Sequence, residues 1–371
     1  MRVGVLGGGQ LARMMVPAAV ALGIDIVVLG EGPDASARLA VTRVGDVRDT
    51  DTVLTFARDV DVITFDHEHV PQPVLNALSE AGVPVRPGPG ALAHAQDKLV
   101  LRRRMAELGV PQPVWAEVAD EAQLDAFLAS MGGRAVVKTP RGGYDGKGVR
   151  VVGAGAEAAD WLAEGPLLAE ELVDFRRELA QQVARRPSGE IVAWPLVETV
   201  QDRGVCREVI APAPHSAGRI ADIACDIAMT VAEALGVTGV LTVELFETTD
   251  QRVLVNELAM RPHNSGHWTI DGSTTSQFEQ HLRAVLDLPL GATGCRDPWT
   301  VMVNVLGGPA DGDVESRVPA LLAADPMVKL HLYGKTPRPG RKIGHVTLAG
   351  DDLDDLVFRA RAAAARLDGA P

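Results

Sequence analysis

Lysine and cysteine are the scarce residues of this 371-residue chain: six lysines stand against thirty arginines, and there are three cysteines. Cys206, Cys225 and Cys295 lie far apart with no paired spacing, so neither a zinc motif nor a disulfide framework is indicated. That usage fits a reducing cytoplasm. No apolar run approaches the length of a membrane span, and Met1-Arg2 leads straight into a strand rather than into a leader segment. A cytoplasmic protein with no membrane partner is therefore expected. The formal net charge of −13 argues against a nucleic-acid-binding body, while leaving room for a local basic pocket. Where arginine supplies the generic positive charge, a retained lysine suits a compact ammonium facing a phosphate. Lys98, Lys138, Lys147, Lys329, Lys335 and Lys342 are the six positions to watch.

A chain this long exceeds one hydrophobic core and points to two or three domains. Its first ninety or so residues alternate strand and helix: strands at 3–7, 25–29, 61–65 and 83–86, with helices at 10–22 and 74–80 among them. Such alternation implies a parallel sheet covered on both faces. A helix over 96–108 ends at Gly109, and Pro111 and Pro113 punctuate a domain boundary. Beyond it the pattern predicts a helix at 121–130 and strands at 134–138, 149–152, 167–172, 178–184 and 191–197. A helix at 220–235, a hairpin over 240–260, a helix at 275–286, strands at 301–306 and 328–333, and a final Ala/Arg-rich helix complete the reading.

Three segments carry chemistry. Gly7-Gly8-Gly9-Gln10-Leu11-Ala12 fits the dinucleotide fingerprint G-x-G-x-x-A at a strand-to-helix turn, with Glu31 loosely supplying the acidic partner. The same turn equally suits the phosphate of another ligand at a helix N-terminus. Lys138-Thr139-Pro140-Arg141-Gly142-Gly143-Tyr144-Asp145-Gly146-Lys147-Gly148-Val149 joins two strands with four glycines and a lysine near either end. That composition suits a mobile flap whose amides and ammonium groups cover phosphates. In the third, Glu244 and Glu257 interrupt apolar strands, followed at once by Arg261-Pro262-His263-Asn264-Ser265-Gly266-His267. Buried carboxylates need partners. Structural salt bridges would serve, and so would Mg²⁺ bound together with substrate phosphates.

Together these residues resemble the ATP-grasp superfamily, and within it the N5-carboxyaminoimidazole ribonucleotide synthase family. The resemblance spans nearly the whole chain and rests on Gly7 to Leu11 with Arg13-Met14, Gln96-Asp97-Lys98, Gly142 to Gly148, Asn256 to Thr269, and Arg338 to His345. It departs from the family pattern at Lys98, where many members carry Arg, at Met260 in place of Pro, and in Asp66-His67 of the segment 64–68. The resemblance implies an α/β chain of three domains: an N-terminal Rossmann-like parallel sheet that binds substrate (1–95), a small α+β lid with the glycine-rich flap (96–172), and a C-terminal mixed α+β domain for ATP, Mg²⁺ and substrate (173–371).

It further implies that ATP meets Lys98, Lys138, the flap Gly143, Tyr144, Asp145, Gly146, Lys147, Gly148 and Val149, then Glu170, Glu171, Leu172 and Val173 along the adenine, Glu178 at the ribose, Gln201 nearby, and Asn256. Glu244 and Glu257 would hold Mg²⁺, and Gln10, Leu11, Glu68, Tyr144, Asn264, Ser265, Lys335, Arg341 and Lys342 the ribonucleotide. Asp145, Lys147, Arg261 and His263 are the implied catalytic residues. The implied reaction is ATP- and bicarbonate-dependent carboxylation of an amine in purine biosynthesis, by a homodimer whose partners are small molecules. Three rivals stand beside it. Another ATP-grasp ligase, such as a formate-dependent transformylase or biotin carboxylase, would share flap and carboxylates. An NAD(P) oxidoreductase would use the first glycine loop, and a nucleotide-binding regulator would bind ATP without releasing phosphate.

Overall fold

The computed structural model describes residues 1–143, 147–202, 204–216, 218–309 and 312–368. Among the described residues the strands form three sheets. The first unit runs β1 (Arg2–Leu6), α1 (Gln10–Leu22), β2 (Asp25–Gly30), β3 (Val41–Val44), α2 (Thr50–Ala57), β4 (Val62–Phe65), α3 (Gln72–Glu80) and α4 (Pro89–Gln96). Its strands are parallel in the order β3-β2-β1-β4, and both faces are covered, as the continuous apolar runs of β1 and β4 require. Gly23, at φ 65°, closes α1 in the left-handed conformation.

The second unit comprises α5 (Lys98–Glu107), β5 (Trp115–Val118), α6 (Glu121–Ser130), β6 (Ala135–Lys138), β7 (Val149–Val152), α7 (Ala159–Leu162) and β8 (Leu167–Glu171). It is an antiparallel sheet ordered β5-β8-β6-β7, with α6 closing its own apolar core. The expected helix over 96–108 is interrupted. Asp97 is extended, at φ −137°, and caps α5 by accepting from the amides of Leu99 and Val100. That break separates α4 from α5 and places Lys98 at the first turn of the new helix.

The third unit contains β9 (Phe175–Arg185), β10 (Ile191–Ala193), β11 (Val197–Asp202), β12 (Val205–Ala211), α8 (Arg219–Ala234), β13 (Gly239–Thr248), β14 (Val253–Ala259), α9 (Thr269–Gly272), α10 (Gln277–Val285), β15 (Trp299–Leu306), α11 (Val318–Ala324), β16 (Lys329–Leu332), β17 (Lys342–Gly350) and α12 (Leu353–Asp368). Its sheet runs β14-β13-β9-β11-β12-β15-β17-β16, with β10 paired to β9. Two expected strands differ. The stretch 191–197 splits into the end of a hairpin and the start of β11, and 83–86 makes only an isolated parallel bridge, Ile63 to Val85.

The units share cores. Phe278, Leu282 and Val285 of α10 pack among Leu11, Met15 and Val28 of the first unit, and His281 of α10 reaches the Thr64 hydroxyl at 2.7 Å. Burial pushes the His281 imidazole down to about 3, so it is a neutral packing residue. Leu6, Phe65 and Leu92 join Leu179, Leu245 and Leu258 in another shared core. The first glycine loop is thereby fixed beside the carboxylate hairpin.

Candidate active site

Glu244 of β13 and Glu257 of β14 are directly opposite in the antiparallel register. The next pair is Leu245 with Val255, so Asn256 is the additional residue of a β-bulge. A bulge re-aims side chains at such a point. Asn256 and Glu257 accordingly meet the two lysines of the lid: Lys138 Nζ donates to Asn256 Oδ1 at 3.1 Å, and Lys98 Nζ is 3.4 Å from Glu257 Oε1. Glu244 is met from the other side by His263 Nε2 at 3.0 Å.

Lys138 ends β6 and also pairs with Glu170 Oε2 at 2.7 Å. Glu170 is buried, and its other oxygen accepts from Arg102 Nε at 2.5 Å. The expectation that Glu170 lines the adenine therefore changes for its side chain, which is occupied in holding Lys138. Glu171 accepts from the Val114 amide, and exposed Leu172 follows beyond the strand with Val173. On the flap, Gly143 runs so close to the Lys147 carbonyl that a Cβ would lie 2.6 Å from it, and 3.7 Å from Lys98 Nζ. Gly148 has φ +72° and packs on Thr139. Val149 begins β7 with its side chain exposed. The expected contacts Tyr144, Asp145 and Gly146 lie outside the described residues.

The side expected to face the ribonucleotide is built on Arg261. Glu68 Oε2 accepts from Arg261 Nε at 3.0 Å, and Glu68 Oε1 from the Met260 amide at 2.7 Å. Lys335 Nζ donates to Gln10 Oε1 at 2.5 Å, which brings the far C-terminal basic segment onto the first glycine loop. The Leu11 side chain belongs to the core, so the contact expected there falls to its main chain. Asn264 and Ser265 have protein partners of their own. The Asn264 amide exchanges hydrogen bonds with Asn304, at 3.0 and 2.7 Å, and buried Ser265 Oγ lies 2.8 Å from His263 Nδ1. Asn264 thus ties the loop to β15, and Ser265 orients the His263 ring. Arg341 donates to the Thr336 carbonyl at 3.0 Å, whereas Lys342 begins β17 close enough to Glu244 to influence its ionisation.

The charges explain the ionisation states. Burial pushes Glu178 up to about 7, helped by the negative charge of Glu244 and opposed by a hydrogen bond from Gln201 and by Lys138. The Glu178–Gln201 proximity expected at the ribose is thus present. Burial would push Glu244 up as well, but His263, Lys342 and Arg261 reverse this and hold it below the ordinary carboxylate range. Two carboxylates on adjacent strands fit Mg²⁺, which takes one or two protein carboxylates and completes its shell with waters and phosphate oxygens. Asn256 adds a hard amide oxygen beside them.

The first glycine loop does not suit a dinucleotide. Asp66 Oδ1 accepts from the Ala12 amide in the first turn of α1 at 2.8 Å, and a Cβ on Gly9 would collide with the Asp66 carboxylate. A carboxylate thus holds the helix N-terminus where a pyrophosphate would sit. Asp66 stands out in the sequence only as a departure from the family pattern, and Arg102 does not stand out at all. For Arg102 the available signal is its spacing, one turn after Lys98 within an apolar helical face.

Known proteins match each part of the chain. Residues 1–96 match the ribonucleotide synthetase preATP-grasp domain, 103–278 the ATP-grasp domain, and 300–358 the phosphoribosylaminoimidazole carboxylase C-terminal domain. The chain is 52% identical to the N5-carboxyaminoimidazole ribonucleotide synthase of Mycobacterium tuberculosis (strain H37Rv), covering 98% of this chain and 86% of that one. It is 48% identical to the synthase of the same name from Corynebacterium ammoniagenes, over 98% and 91%. A crystal structure of N5-carboxyaminoimidazole synthase from Aspergillus clavatus, in complex with ADP and 5-aminoimidazole ribonucleotide, superposes with a TM-score of 0.90 at 31% identity, over 99% and 98%.

Proposed function

The chain belongs to the N5-carboxyaminoimidazole ribonucleotide synthase family of ATP-grasp enzymes, and on that premise we infer that it carboxylates the exocyclic amine of 5-aminoimidazole ribonucleotide at the expense of ATP. In this reading a bicarbonate oxygen attacks the γ-phosphorus, ADP leaves, and carboxyphosphate forms. The amine nitrogen then bonds to the carboxyl carbon as the C–O bond to phosphate breaks, releasing inorganic phosphate and a proton.

The observation that carries this reading is the convergence of Lys98 and Lys138 on the bulged strand that bears Asn256 and Glu257. Attack of one anion on another needs positive charge at the oxygens that gain it. We assign Lys98, Lys138 and Lys147 to the ATP phosphates, and Arg261, steadied by Glu68, to bicarbonate and carboxyphosphate. Mg²⁺, held by Glu244 and Glu257 with the phosphates, would neutralise charge on the transferring group. His263 receives the amine proton, or Asp145 does. The His263 ring is oriented by Glu244 at Nε2 and by the Ser265 hydroxyl and amide at Nδ1. Glu171 to Val173 would line the adenine, with Glu178 and Gln201 at the ribose. Lys335 with Gln10, Lys342 and Arg341 would hold the 5′-phosphate. The flap shields carboxyphosphate from water.

We place the domain boundaries at 1–95, 96–172 and 173–371, and the enzyme in the cytoplasm as a homodimer working on small molecules alone. Among the described residues no helix is long and apolar enough to cross a membrane. The test is phosphate release from ATP with bicarbonate and aminoimidazole ribonucleotide supplied separately and together. Release that requires both supports the reading. Release indifferent to the ribonucleotide would favour a different ATP-grasp ligase.

A further inference from the structure

Arg102 has no place in the chemistry, yet it is one of the largest fully buried side chains of the protein. Its guanidinium makes three contacts to two separate strands. Nε donates to Glu170 Oε1 at 2.5 Å on β8, Nη1 to the Val255 carbonyl at 2.9 Å, and Nη2 to the Asn256 carbonyl at 2.8 Å on β14. Glu170 passes the connection to Lys138 at 2.7 Å, and Lys138 returns it to the Asn256 amide oxygen at 3.1 Å. The result is a closed ring, Arg102–Glu170–Lys138–Asn256, in which Asn256 serves twice, by main chain and by side chain.

Each member of the ring sits beside a group that meets the reacting phosphates. Lys98 lies one turn before Arg102 on α5, so the two project from the same helical face. Lys138 is in the ring itself, and Glu257 is next to the bulged Asn256. A bulge leaves main-chain groups without ladder partners. Here two of the carbonyls are taken by one planar fork, a geometry that lysine cannot reproduce. The ring also sets charge. Burial alone would push Glu170 up, and Lys138 and Arg102 together hold it ionised and below its ordinary value. With two cations on one carboxylate, the ring retains one positive charge for a phosphate. Without Arg102, Glu170 would neutralise Lys138.

We propose that Arg102 is a positioning residue for nucleotide binding, joining the lid helix that carries Lys98, the Lys138–Glu170 pair and the Asn256–Glu257 bulge into one preset phosphate and metal cradle. The proposal rests on the assignment of Lys98 and Lys138 to the ATP phosphates. It separates two contributions: the charge on the ring, and the fork that fixes the bulge.

Initial-rate kinetics of Arg102→Lys, Arg102→Met and Lys138→Ala, each with a thermal melt, test it. Arg102→Lys keeps the charge and loses the fork. It should fold but melt below wild type, because buried carbonyls lose a donor, raise the KM for ATP at least fivefold, raise the Mg²⁺ concentration giving half-maximal rate, and leave the KM for the ribonucleotide within twofold. Arg102→Met loses charge as well and should raise the KM for ATP further. Arg102→Lys carries the decision whether or not the methionine variant folds. A KM for ATP within twofold of wild type in Arg102→Lys, or equal increases for both substrates, would overturn the proposal. If Lys138→Ala itself leaves the KM for ATP unchanged, the phosphate assignment fails and the proposal falls with it. If Lys138→Ala raises that KM and Arg102→Lys does not, only the role of Arg102 is wrong.

Discussion

Glu244 and Glu257 face one another across the β13–β14 register, yet each is engaged by a nitrogen from a different part of the chain. His263 meets the first at 3.0 Å, and Lys98 meets the second at 3.4 Å. In the function proposed above, the amine and carboxyl group lie on the His263 side and the nucleotide phosphates on the Lys98 side.

Glu257→Gln removes a charge assigned to Mg²⁺ while nearly preserving shape. We expect kcat to fall at least a hundredfold, ~2.7 kcal/mol of barrier, with an unchanged melting temperature. Activity within threefold of wild type would contradict the metal assignment.

Ser265→Ala separates aiming from binding. Because the Ser265 hydroxyl contacts His263 Nδ1 and is buried, its loss should lower kcat several-fold and leave both KM values nearly unchanged. An increase confined to the KM for the ribonucleotide would show direct substrate contact instead.

Lys335 touches Gln10 at the first glycine loop, and the function proposed above assigns the pair to the ribonucleotide phosphate. Lys335→Ala should raise the KM for the ribonucleotide roughly tenfold, the loss of about one charge-assisted hydrogen bond. The KM for ATP should hardly move. Equal increases in the two would put this lysine on the wrong ligand.

Glu178 gives the site a pH dependence. Its folded value of about 7 exceeds its ordinary 4.5, because burial and Glu244 disfavour its charge. The folded chain therefore binds this proton more tightly than the unfolded chain does. The associated stability is fully present below 4.5 and is lost as pH rises through about 7. In the absence of nucleotide, thermal melts between pH 5 and 8 should fall more steeply for wild type than for Glu178→Gln. Parallel profiles would contradict this.

The sequence pattern made local features legible. The left-handed Gly23 ends α1 where the periodicity stops, and Glu244 and Glu257 stand out because carboxylates are rare in apolar strands. What stayed hidden depends on distant pairing. Arg102 reads as one more helix-surface arginine until Val255, 153 residues away, turns its carbonyl toward it. The family resemblance offers Asn264 and Ser265 as substrate contacts but says nothing of what they touch within the protein. Their partners, Asn304 on β15 and the neighbouring imidazole, emerge only when strand and loop are packed together. The break at Asp97 was obscured because residues 96–108 keep helical composition across it, while the aspartate side chain caps the following turn.

The most direct test of the account follows an oxygen atom. When bicarbonate labelled with ¹⁸O is supplied with unlabelled ATP and aminoimidazole ribonucleotide, faster than it exchanges with water, attack on the γ-phosphorus moves one bicarbonate oxygen into a P–O bond. Cleavage of the C–O bond then leaves that oxygen on phosphate. The account predicts one ¹⁸O per released phosphate, in step with carboxylated product. Unlabelled phosphate released at the same rate would mean that water attacks ATP directly, and would contradict carboxyphosphate formation at this site.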